Sequence, residues 1–176
     1  MWRYIKIIMF FAVVACLQAT LSPRIAVFGV KPDLLLIAVV IWGLSFGAEK
    51  GGAVGLLAGF LEDLLSASFY INILIKAMLG YFAGIVRGSI AVASTLVSTA
   101  AVAALTPISY LLELMIFYFF FGRPLPSLYS VISVVTVSSL YNAALTAAAF
   151  NLIFRTIERV SSGERGDLKE YKLYRM

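Results

Sequence analysis

The sequence contains no histidine and a single cysteine, Cys16. A tetrahedral zinc site needs several Cys or His ligands, so none can be assembled. Ser–His and Cys–His nucleophilic catalysis are excluded on the same ground, although a Ser–Lys pair is not. One thiol forms no internal disulfide and leaves the redox compartment unread. Charge is also scarce. Asp, Glu, Lys and Arg make up 13% of 176 residues, against roughly 25% in an average soluble domain. Apolar residues fill the chain instead, at 62%, with a mean hydropathy of +0.99. A soluble domain of this size cannot hide so much apolar surface. A soluble enzyme, a disordered chain and a disulfide scaffold are thereby excluded. The composition predicts one all-α polytopic membrane domain.

A helix crosses the ~30 Å hydrocarbon core in about 20 residues. The apolar runs predict about six spans within residues 1–154, at about 4–21, 34–46, 52–66, 72–87, 91–121 and 128–154. The first run begins with Arg3 and Lys6 like a signal peptide. It is long for one, and Ser22-Pro23-Arg24 offers no small-x-small cleavage site, so it reads as a retained helix. Pro23 and Pro32 bracket a loop or shallow hairpin. Gly47 to Gly51 is expected to separate spans two and three, and Pro107 to let span five tilt, kink or break. Residues 155–176 form a mixed-charge tail. With the N-terminus cytoplasmic, the inside segments hold Arg3, Lys6, Lys50, Arg87, Arg155, Arg159, Arg165, Lys169, Lys172 and Arg175. The outside segments hold only Arg24, Lys31 and Arg123. This asymmetry places both termini in the cytoplasm.

Four ionisable residues fall inside apolar runs: Glu62, Asp63, Lys76 and Glu113. Each costs roughly 2.5–3.5 kcal/mol at mid-bilayer on insertion scales. Glu62 and Asp63 end span three and Lys76 begins span four, so a carboxylate–ammonium pair across that hairpin would offset much of the cost. An ion-pair lock, a proton or ligand site, and interfacial snorkelling all fit the pattern. Glu113 has no evident sequence partner and is expected to meet a polar group on another span or on a partner protein.

Gly51, Gly55 and Gly59 form one four-residue ridge, and Gly80, Gly84 and Gly88 another. Such ridges let helix backbones approach closely, within the bundle or against another chain. Phe117 to Phe121 reads as an interfacial aromatic belt, and Trp42 and Tyr81 as packing residues. No phosphate-binding glycine loop is present, and no nucleic-acid partner, metal or cofactor is expected. Acidic residues interleave the basic ones in the tail, which makes it at best a weak binder of anionic lipid.

Three motifs stand in order: Lys31-Pro-Asp-Leu-Leu-Leu36, Gly59-Phe-Leu-Glu-Asp-Leu-Leu-Ser66 and Lys76-Ala-Met-Leu-Gly-Tyr-Phe-Ala-Gly84. Together, over about residues 23–90, they resemble the rod shape-determining protein MreD family. Pro32 and Asp33 match the first motif, Asp63 the second, and Gly80, Tyr81 and Gly84 the third. Glu62 stands where an apolar residue is expected. The resemblance implies a multi-pass protein of the bacterial inner membrane, similar in fold to the substrate-binding subunits of energy-coupling-factor transporters. It further implies a non-enzymatic scaffold of the cell-elongation complex. Such a scaffold docks a bitopic MreC-like protein and, through it, the MreB filament and the RodA–transpeptidase peptidoglycan synthase. Self-association is left open. A vitamin-type transporter subunit is the main competing expectation, with Glu62, Asp63 and Lys76 as pocket groups. A membrane enzyme built on Asp63 and Lys76 is the remaining one.

Overall fold

The computed structural model describes residues 2–66, 71–86 and 94–160. Their regular structure is six helices: α1 (Trp2–Thr20), α2 (Leu34–Phe46), α3 (Ala48–Ser66), α4 (Ile71–Val86), α5 (Thr95–Phe121) and α6 (Leu128–Val160). Two of them, α5 and α6, are long and apolar enough to cross a membrane by themselves, whereas α1, α2 and α4 are shorter apolar helices. The expected closure of span four at Arg87-Gly88, the start of span five before Ser94, and the tail beyond Val160 lie outside the described residues.

α2 is the centre of the bundle. Its 13 residues rise only about 20 Å at ~1.5 Å each. Every one except Leu34 and Ser45 is buried, as expected of a helix that is apolar all round. α1, α3, α4, α5 and α6 all pack against it or its immediate neighbours. On the α1 side, Trp42 lies between Phe11 and Phe46, with ring centroids 5.7 and 5.0 Å away. These offset rings bury large apolar area with favourable edge contacts.

The α2–α3 connection is shorter than the sequence suggests. Gly47 alone is non-helical, at φ 92°, and Ala48 already starts α3. That backbone angle suits glycine and almost no other residue. Pro107 neither breaks nor ends α5, which continues to Phe121.

The 21–33 segment folds back on itself. Val27 and Val30 exchange both backbone hydrogen bonds, at 3.0 and 2.9 Å. The two residues between them, Phe28 and Gly29, both have positive φ, the signature of a type I′ hairpin turn. Tyr141 of α6 donates to the Ile25 carbonyl at 2.6 Å and ties the hairpin down. Pro32 is buried where the chain re-enters the bundle, a place where a missing N–H leaves no donor unsatisfied.

Candidate functional site

Among the described residues Lys76 shares with Asp63 the deepest burial of any charge, at 1% exposure. Its ammonium meets two carboxylates, Asp33 Oδ2 at 2.8 Å and Glu62 Oε2 at 2.5 Å. Each carboxylate has further partners. Asp33 is the N-cap of α2 and accepts from the Leu36 amide at 2.8 Å. Glu62 Oε1 accepts from Gln18 Nε2 at 2.6 Å. The other end of Gln18 accepts from the Leu35 amide at 2.8 Å, so one α1 side chain clamps α3 and the start of α2. From α6, Asn142 Oδ1 accepts from the Asp33 amide at 3.0 Å, and its Nδ2 donates to Thr106 of α5 at 3.2 Å. One connected polar cluster thus joins all six helices. Buried charges persist in apolar surroundings only when paired and hydrogen-bonded, and this cluster supplies both.

Asp63 does not join it. Neighbouring residues on a helix point about 100° apart, so Glu62 and Asp63 cannot face one ammonium together. Asp63 instead faces the start of α4. Its two oxygens accept from Asn72 Nδ2 at 2.8 Å and from the Ile73 amide at 3.1 Å. A carboxylate at a helix N-terminus satisfies orphan amides and the dipole together. Asp63→Ala is expected to lower stability by roughly 1–3 kcal/mol, the cost of leaving such buried donors unmet. Thermal unfolding in a single detergent reads this directly; wild-type unfolding of the variant would show that the cap contributes nothing.

The glycine ridges are used inside the molecule. A Cβ at Gly51 would strike the Gly80 carbonyl oxygen, at Gly55 that of Lys76, and at Gly59 that of Asn72. Gly84 abuts the Ala48 backbone, and Gly43 of α2 abuts Gly80. Three helices therefore touch backbone to backbone along one seam; Gly88 lies outside the described residues. Tyr81 is not a buried packing residue. It is 46% exposed on the outer side of α4, edge-on to Phe82. Trp42 is buried as expected. Tyr118, Phe119, Phe120 and Phe121 are exposed at the end of α5, compatible with an interfacial belt. Glu113 forms no ion pair or hydrogen bond among the described residues and lines a cavity beside the junction.

Gln18, Thr106 and Asn142 were not singled out by sequence reasoning. A signal existed. Gln18 is the only glutamine, and asparagine occurs only three times. A carboxamide in the middle of an apolar run is costly unless it bonds across helices.

Among the described residues no group of three or more His, Cys, Asp or Glu is placed to hold a metal ion. The polar groups hold helices to one another in a helical bundle, two of whose helices are long and apolar enough to cross a membrane. Comparison with protein families makes this specific. The chain matches the family model for rod shape-determining protein MreD over residues 2–157. It belongs to that family, and with membership comes a role in rod shape determination. The match extends well beyond residues 23–90, where the motifs lie. Neither the curated proteins nor the solved structures gave a match.

Proposed function

We propose that the protein is a non-enzymatic scaffold of the cell-elongation complex. It sits in the bacterial inner membrane as six spans with both termini cytoplasmic. The family match over residues 2–157 carries this reading. The topology rests on the excess of Lys and Arg in the segments assigned to the inside. On this reading the bundle is a rigid post. Its polar junction and glycine seam keep the helices in register, and its outer faces receive partners. The first partner is the single span of an MreC-like bitopic protein. Through it the MreB filament and the RodA–transpeptidase synthase are reached indirectly. A fold like that of energy-coupling-factor substrate-binding subunits fits this arrangement, with no transport role implied.

The glycine seam is occupied internally, so docking falls to another surface. A shallow apolar groove of about 330 Å³ runs along the exterior of α3 and α4, lined by Gly52, Leu56, Ala77, Met78, Tyr81 and Phe82. Gly52 leaves room there, because an added Cβ meets Tyr81 Cβ only at 3.5 Å. Small residues flanked by large ones give a second helix close approach. Gly52→Leu fills the groove without touching the seam. It is expected to unfold like wild type but to retain an MreC-like partner at least fivefold less well in co-purification from nanodiscs. Undiminished recovery would remove the groove from the account. No stoichiometric recovery with the wild-type protein would remove the scaffold reading itself.

A further inference from the structure

Beside the polar junction lies a cavity of about 660 Å³, bounded by the hairpin segment, the start of α2, and α1, α3, α5 and α6. This volume is within the ~300–1,000 Å³ of small-molecule sites. Part of its wall is apolar, including Ala15, Ala19, Phe28 and Val30. The rest carries hydrogen-bonding groups and three carboxylates, Asp33, Glu62 and Glu113. Asp33 and Glu62 share Lys76, which is buried behind them and is not part of the wall.

Glu113 is different. It is half-buried on α5 and has no ion pair or hydrogen bond among the described residues. Lys31, the one cation among the described residues of the wall, is exposed, and the Arg123 guanidinium stacks on the Phe117 ring, 4.4 Å from its centroid. A second group is also unmet. Ser22 is 2% exposed, its hydroxyl has no hydrogen-bond partner, and the residue forms part of the same wall. Buried polar groups in native proteins are nearly always satisfied, so an unmet one calls for a missing partner. A carboxylate can only accept while ionised, and a hydroxyl can accept as well. The partner that suits both is a cation rich in N–H donors. The apolar wall suits a carbon chain attached to it.

We propose that this cavity binds a ligand bearing a primary ammonium group, which Glu113 receives as its counter-charge while the apolar wall covers the ligand's carbon skeleton. The ammonium could be the headgroup of an ethanolamine lipid or belong to a soluble amine; the shared chemistry is the same. The proposal stands apart from partner docking, since it rests on the wall of the cavity and not on the outer groove.

The test uses the full chain in nanodiscs of phosphatidylcholine and phosphatidylglycerol, which carry no primary amine. In one arm phosphatidylethanolamine is titrated into the discs, and in the other spermidine is added to the buffer. Native mass spectrometry counts the bound probe. The expected result is saturation of one probe at one per chain, with phosphatidylglycerol never saturating. Lipid saturation alone assigns the headgroup, and spermidine saturation alone assigns a soluble amine. Glu113→Gln and Ala19→Phe, the second of which adds bulk to the wall and leaves every charge in place, should each weaken binding at least tenfold with unfolding unchanged. Failure of both probes to saturate overturns the proposal, as does wild-type affinity in Glu113→Gln. If that variant does not fold, wild-type affinity in Ala19→Phe overturns it equally.

Discussion

Lys76→Met is expected to be the most destabilising single polar substitution in the chain. The variant removes the buried cation that the part-buried carboxylates of Asp33 and Glu62 share. Removing one partner of a buried ion pair typically costs about 3–5 kcal/mol, because the remaining charge is left uncompensated. The triple variant Lys76→Met, Asp33→Asn, Glu62→Gln should recover most of that loss. Asparagine keeps the capping oxygen for the Leu36 amide, and glutamine keeps an acceptor for Gln18. Thermal or denaturant unfolding of the three proteins in one detergent separates the cases. If the single and triple variants unfold alike, the cost lies in Lys76 packing and the ion-pair account is wrong.

Gly80→Ala is the second large effect. The added Cβ would meet the Gly51 carbonyl oxygen, and Val39 Cγ1 at 2.7 Å. Val39 is a buried core residue of the central helix, and the Gly51 oxygen is backbone, so neither yields without moving a helix. Overpacking in a close-packed core costs about 1–3 kcal/mol, and contact with rigid backbone puts this case at the upper end or beyond. Gly52→Ala is the matched control one position along from Gly51. Its Cβ finds ordinary contact distances, and replacing a helical glycine by alanine gains up to ~1 kcal/mol. Opposite signs for the two variants would locate the seam; equal effects would mean that helix propensity, not close approach, governs both positions.

Local patterns in the sequence carry much of this architecture. Apolar runs bounded by Pro and Gly mark the helices, and a pair between Lys76 and either Glu62 or Asp63 follows from charges on either side of one short connection. Gly55 and Gly59 announce close packing because four-residue spacing puts them on one face. The same helical period could have placed Tyr81 correctly: with Gly80 facing α3, the next residue turns about 100° outward. Asp33 as the second partner of Lys76 was not legible, because 43 residues separate them and only the burial of α2 within the bundle brings its N-terminus to α4. Gln18 and Asn142 were missed for a similar reason. Their partners lie on helices that no local pattern places nearby, and scarcity of carboxamides was the one hint. Whether the ridges serve the bundle or another chain is a question of which face each helix presents, and it is settled by the backbone contacts of Gly43, Gly51 and Gly80.

The central claim is that this bundle acts by holding a partner. Native mass spectrometry of the tagged protein, extracted from its own membrane in lipid nanodiscs, tests it most directly. The account predicts a stoichiometric single-span, MreC-like companion, with an amine lipid or small amine as the only other bound species. Recovery of transporter subunits with a bound metabolite, and no bitopic companion, would contradict it.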